Sequence, residues 1–189
     1  MQNQNQNILM LTISSVLIAV GVIIPIFSPV RIVLEPASFT LASHVVIFIA
    51  MFISIKMAAA VSIGTTVGFF LGGFPIVVVL RAATHLIFAT LGAFYLHRIA
   101  KDKLSAVSLR VFSFVIGVIH GASELVVVTI FYFGGRVSPA HFEQGFFMSV
   151  FLLVGVGSVI HSMVDFEIAR IVTFPLKKQK TLAPMLAKS

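Results

Sequence analysis

Apolar runs long enough to cross a bilayer recur along the entire chain and leave almost no polar sequence from which to build a soluble domain. Such a domain is roughly 45–50% apolar and about 25% charged. This chain is 59% hydrophobic and 10% charged, with a mean hydropathy of +1.11. Its 13 Gly and 7 Pro do not mark a disordered or collagen-like chain, since apolar residues dominate. At about 20 residues per span, six or seven helices and short loops would consume all 189 residues, so no further domain of any substance is expected. The absence of Cys excludes disulfides, thiolate metal ligands and a Cys nucleophile. The expected fold is therefore an all-α integral membrane protein, a compact bundle forming one domain over residues 1–189.

Six apolar segments cover residues 8–27, 39–55, 57–72, 75–96, 107–133 and 142–174. Pro25 and Pro29 end the first, Lys56 separates the second from the third, and Gly72-Gly73-Phe74-Pro75 marks a tight turn into the fourth. A basic stretch from His97 to Ser105 precedes the fifth, and Gly134-Gly135 and Ser138-Pro139 punctuate the loop before the sixth. Membrane-spanning strands would alternate polar and apolar residues. Segments such as 45–55 and 107–117 are apolar on both parities, so helices are predicted. The second and third segments are short enough to be broken or only partly lipid-exposed. The tail from Met1 to Asn7 carries no Lys or Arg, unlike the n-region of a signal peptide, so the first apolar run is expected to remain as a span.

Basic residues orient the bundle. Lys56, Arg98, Lys101, Lys103, Arg110, Arg170, Lys177, Lys178, Lys180 and Lys188 share one side, against Arg31 and Arg136 on the other, with Arg81 inside a span. Both termini are accordingly expected in the cytoplasm of a multi-pass cell-membrane protein. The formal charge of +7 then follows from topology, and nucleic acid is not an expected partner.

Ionisable residues at membrane depth each cost about 2.5–3.5 kcal/mol on insertion scales and so require a reason. Arg81 and His85 are four residues apart on the fourth segment, and His120 and Glu124 are four apart on the fifth, so each pair shares a helix face. With His44 on the second segment, all five fall between the outer interface and the midplane. One interpretation is a buried Arg81–Glu124 ion pair that only ties two helices together. The other is a polar pocket open to the outside, with Arg81 forking onto an anionic group. The two are compatible. Arg31 and Glu35 would cap such a pocket or simply lie in a solvated loop, the latter being favoured. His161 and Asp165, followed by Glu167 and Arg170, are expected near the inner interface or paired with one another. His44, His85 and His120 share a depth band but lack a compact metal-binding signature, so no metal and no cofactor is expected. Ser158 and His161, three apart on one helix, do not make a positioned nucleophile and base.

Ala60, Gly64, Gly68 and Gly72 form a small-residue stripe that lets another helix approach closely, most readily one of this chain. Ser15 and Ala19 make a similar pair on the first span, which could face another protein. No glycine-rich loop ending in Lys-Ser or Lys-Thr is present, so P-loop ATP hydrolysis is excluded.

Over its whole length the chain resembles the substrate-binding S components of energy-coupling factor (ECF) vitamin transporters. The resemblance implies a vitamin-binding membrane subunit, not an enzyme, working with a transmembrane scaffold subunit and two cytoplasmic ATPases. In that family an alanine-x-x-x-alanine motif on the first helix docks on the scaffold; Ser15 and Ala19 occupy the matching positions, with Ser replacing the first Ala. The runs Pro36-Ala37-Ser38-Phe39-Thr40-Leu41-Ala42-Ser43-His44 and Gly73-Phe74-Pro75 through Leu80-Arg81-Ala82-Ala83-Thr84-His85 are similar to the niacin-type subgroup. Nicotinate, a small aromatic carboxylate, suits one Arg with His and Phe walls. Pantothenate would satisfy Arg81 equally, and a cationic vitamin such as thiamin fits less well. An intramembrane His/Glu enzyme and a stand-alone carrier are the alternatives from other classes. The candidate binding residues are Arg81, His85, His44, His120 and Glu124.

Overall fold

In a computed structural model, residues 2–34, 37–100, 104–135 and 145–176 are described. Glu35, Pro36, Lys101, Lys103, Arg136, Ser138-Pro139, the start of the sixth apolar segment and the basic C-terminal tail lie outside them. The elements are α1 (Gln2–Phe27), β1 (Arg31–Leu34), β2 (Ala37–Thr40), α2 (Val45–Ile53), α3 (Ile55–Leu71), α4 (Ile76–Phe94), α5 (Ala106–Phe133) and α6 (Gly157–Leu176). A wider-wound segment, Tyr95–Ala100, prolongs α4, and another, Phe147–Val156, leads into α6.

Four helical stretches are long and apolar enough to cross a membrane: Gln6–Phe27, Ile76–Ala100, Ala106–Phe133 and Phe147–Thr173. The other two helices are shorter. With 17 residues, α3 approaches the spanning length, whereas nine-residue α2 falls well short of it. At 1.5 Å per residue α2 rises about 14 Å, under half of a hydrocarbon core roughly 30 Å thick. The second apolar segment therefore does not form the helix over 39–55 that hydropathy predicts. Its first residues are β2, paired antiparallel with β1 in the register Arg31↔Thr40 to Leu34↔Ala37. Ile32, Val33 and Thr40 are β-branched and favour strand, and a paired hairpin satisfies backbone groups that would otherwise be stranded in an apolar bundle. Ala42, at φ 69°, turns the chain from the hairpin into α2.

Every residue of α2 is buried, because α2 occupies the centre of the bundle. Phe48 meets Phe88 of α4 (5.6 Å between ring centroids) and Phe166 of α6 (5.3 Å), while Met51 packs against Gly92. The apolarity of 45–53 on all sides, which defeated any amphipathic pattern, is the composition of a helix surrounded by other helices. Ser54, in extended conformation, ends α2 and caps α3 by accepting the Met57 N–H at 3.1 Å. That break, two residues before the expected one at Lys56, lets the chain reverse.

The small-residue stripe on α3 serves internal packing. Gly64 lies under Ile18 and Gly68 under Val22, so α1 and α3 run parallel and in close contact, with no room for a Cβ at either glycine. Gly68→Leu should destabilise the protein by about 1–3 kcal/mol through overpacking. Adding Val22→Ala should recover part of the loss, as read by thermal unfolding in detergent; an unchanged midpoint in Gly68→Leu would contradict the α1–α3 contact.

Candidate functional site

Helical spacing on three helices, and the start of a fourth, points a set of polar side chains at one place. Arg81 and His85 are one turn apart on α4, His120 and Glu124 on α5, and His161 and Asp165 on α6, with Ser158 on the same face of α6. The chain turn before α2 adds Ser43 and His44. Two buried carboxylates organise these groups.

Glu124 joins α4, α5 and α6. Its Oε2 accepts from Arg81 Nη2 at 3.0 Å and from the Ser158 hydroxyl. Its Oε1 lies 3.5 Å from the Nε2 atoms of both His85 and His120. Asp165 holds the entrance to α2: Oδ1 accepts the Ala42 N–H at 2.8 Å, and Oδ2 accepts the His44 N–H at 2.9 Å. The same Oδ2 lies 3.2 Å from His44 Nδ1 and 3.4 Å from His161 Nε2, and Ser43 Oγ sits 3.1 Å from His161 Nε2. His44 Nε2 and His85 Nε2 are 3.3 Å apart. The His44 ring is thus at the crossing point, its centroid 4.6 Å from those of His85 and His120 and 5.0 Å from that of His161.

A cavity of about 120 Å³ opens onto this cluster. His44, Arg81, His85, Glu124 and His161 form its polar end. Phe69 and Phe74, stacked with centroids 4.7 Å apart, and Val78 form an apolar wall. Pockets for drug-sized ligands run to roughly 300–1,000 Å³, so this one suits a much smaller molecule. Among the described residues, Arg81 Nε and both ring nitrogens of His120 are buried without a hydrogen-bond partner. An unsatisfied buried polar group costs about 1–3 kcal/mol.

All five residues proposed from the sequence are brought together. Arg81, His85, His44 and Glu124 line the cavity, and fully buried His120 stands behind them on Phe88 (4.7 Å between centroids). The Arg81–Glu124 ion pair considered from spacing alone is present. His161 and Asp165, expected near the inner interface or paired with one another, do pair, 3.4 Å apart, and they join this cluster. Phe147–Val156 leads into α6, and the turn after the hairpin brings the His44 N–H to Asp165. The spacing Ser158, His161, Asp165 on one helix face was the available signal. Glu167 and Arg170 pair with each other at 2.6 Å, both partly exposed. The Ser158 hydroxyl is committed to Glu124, and the Ser15 hydroxyl to the Leu11 carbonyl of its own helix. Ser15 and Ala19 are exposed on the outer face of α1.

Membrane-length helices around a small, charged, partly unsatisfied cavity define a multi-pass cell-membrane protein with a buried polar cavity. No family model and no solved structure matches the chain. It is, however, 38% identical over 169 residues to the Niacin transporter NiaX of Lactococcus lactis subsp. cremoris (strain MG1363), a match covering 89% of this chain and 74% of that protein. The chain belongs to the NiaX family, the niacin-type S components that its sequence resembles.

Asp165 supplies acceptors to two backbone N–H groups far from water. Asp165→Ala should therefore lower stability by about 3–5 kcal/mol, with Asp165→Asn, which keeps one acceptor, less severe. Thermal unfolding in detergent, together with the yield of monodisperse protein, measures this; equal stability of Asp165→Ala and the parent would remove the capping role.

Proposed function

We propose that the protein is the substrate-binding S component of an ECF-type importer and binds nicotinate from the outside. The observation that carries the proposal is Arg81: a buried guanidinium at the cavity wall, anchored through Nη2 to Glu124, with its Nε–H donor unpartnered. A carboxylate entering the cavity meets a charge already oriented and desolvated, and charge-assisted hydrogen bonds to it are worth about 1.5–3 kcal/mol. The Phe69–Phe74 stack and Val78 offer an apolar wall for an aromatic ring, and the small volume favours a single ring over a longer molecule. A homologous niacin transporter supports the same substrate.

The cavity also touches Gly21 and Pro25 near the end of α1 and Phe74-Pro75 in the α3–α4 turn. By the distribution of basic residues this end of the bundle faces outward and the termini lie in the cytoplasm. With no P-loop in the sequence, energy would come from two separate cytoplasmic ATPases through a transmembrane scaffold. The exposed Ser15–Ala19 face of α1 is the surface proposed to meet that scaffold, small residues allowing close helix approach in lipid.

Binding of radiolabelled nicotinate to detergent-purified protein tests the site. Arg81→Ala should weaken binding by about 10- to 100-fold. The double variant Arg81→Gln/Glu124→Gln, which removes both charges of the pair together, should also lose binding while unfolding near the parent temperature. Undiminished affinity in both would refute the anchor, and preference for pantothenate over nicotinate in competition would reassign the substrate. For docking, Ser15→Phe should keep nicotinate affinity unchanged and abolish co-purification with the scaffold and ATPases; retained assembly would exclude this face.

A further inference from the structure

We infer that His44, His85 and His120, with Oε1 of Glu124, form a site for a divalent transition-metal ion that serves as a positive centre for the carboxylate ligand. The inference deepens the proposed nicotinate site and rests on that site taking a carboxylate.

Spacing is the first argument. A tetrahedral ion with bonds of about 2.0–2.1 Å holds its donors roughly 3.3–3.4 Å apart. His44 Nε2 and His85 Nε2 are 3.3 Å apart, and Glu124 Oε1 is 3.5 Å from both His85 Nε2 and His120 Nε2. The three His present ligand atoms within 4.8 Å of one another. They come from three separate elements, the start of α2, α4 and α5, so the cluster is a product of tertiary packing.

His44 also has the arrangement that metal-bound imidazoles adopt. Its Nδ1 lies 3.2 Å from a carboxylate oxygen of Asp165, which only accepts, so Nδ1 carries the hydrogen and Nε2 presents its lone pair inward. His120 adds an independent observation: it is fully buried, and neither of its ring nitrogens has a hydrogen-bond partner among the described residues. Two buried nitrogens without hydrogen-bond partners are unfavourable, whereas a metal bond to one of them would supply the missing interaction.

Charge gives the last argument. With neutral imidazoles, Arg81 (+1), Glu124 (−1) and Asp165 (−1) sum to −1, and a monocarboxylate ligand would bring the buried site to −2. A divalent ion makes the empty site +1 and the carboxylate-bound site neutral, which is the favourable total in a low-dielectric bundle. Nitrogen-rich donors at tetrahedral separations favour Zn²⁺, with Co²⁺ as a spectroscopic substitute.

The test uses the full-length protein in detergent, stripped with a chelator and titrated with ZnCl₂ or CoCl₂. About one ion per chain should bind, Co²⁺ should show the visible absorption of a tetrahedral site, and Zn²⁺ should raise the unfolding temperature. His120→Phe, which keeps a ring of similar size in the same place, should abolish the Co²⁺ spectrum, and Lys56→Ala, at an exposed position remote from the cluster, should preserve it. Asp165→Asn should weaken metal binding by about 10- to 100-fold. Stripping should weaken nicotinate binding at least about tenfold, with Zn²⁺ restoring it. Absence of a Co²⁺ spectrum and of any Zn²⁺ effect on unfolding would overturn the metal site, and undiminished nicotinate binding by that protein would leave the vitamin site standing. Metal binding without nicotinate binding under any condition would instead refute the carboxylate reading and keep the ion. Metal binding with nicotinate affinity unaffected by stripping would refute the ion's role as anchor.

Discussion

A helix of nine residues that begins and ends inside an apolar bundle exposes backbone donors and acceptors where no bulk water can satisfy them, and the rest of this structure depends on how α2 meets that constraint. At its N-terminal end Asp165 accepts the N–H groups of Ala42 and His44; at its C-terminal end His97 Nε2 reaches the Met51 carbonyl at 3.1 Å. The caps come from the neighbouring helix α6 and from the segment that prolongs α4. Seating α2 therefore sets the relative heights of its neighbours. Because Asp165 also contacts the His44 ring, the residue that closes the backbone account is the one that orients the imidazole at the centre of the site.

The site is thus continuous with the packing. Glu124 fastens α4, α5 and α6 through Arg81, His120 and Ser158, and the same contacts hold Arg81 at the cavity wall. A buried pair of this kind is weak evidence for stability, since desolvation offsets most of the attraction. Its value here is positional: it fixes a guanidinium whose Nε–H faces no acceptor among the described residues. On the lipid side, α1 closes against α3 through Gly64 and Gly68 while its exposed face, with Ser15 and Ala19, stays open. One helix thereby joins the wall of the cavity to an exposed face.

Much of this is legible in the sequence because helical periodicity is local. The i, i+4 pairs on α4 and α5 have only one way to share a face, and the apolar run between His120 and the end of α5 places Glu124 at depth without reference to any other helix. The third pair, His161 and Asp165, obeys the same rule and does pair, but its place in the His44 cluster was not legible. Its depth depends on where α6 starts and on how deep His44 lies, and neither is a local property. The hairpin was equally hidden: 39–44 is apolar enough to continue into 45–53, and only pairing with Arg31–Leu34 makes 37–40 a strand. Hydropathy likewise does not distinguish a helix in lipid from one enclosed by other helices, so α2 read as a span.

The sequence by itself determined the solvent, the helices and the chemistry available: apolar runs admit only a membrane bundle, and the few ionisable residues within them are too costly to be incidental. The tertiary structure alone decided that these residues meet. His44, Arg81, Glu124 and Asp165 are separated by tens of residues along the chain, and their convergence requires the short central α2, the hairpin before it and the close α1–α3 contact. Each of those is stabilised by contacts between distant segments, to which no periodicity along a single helix refers.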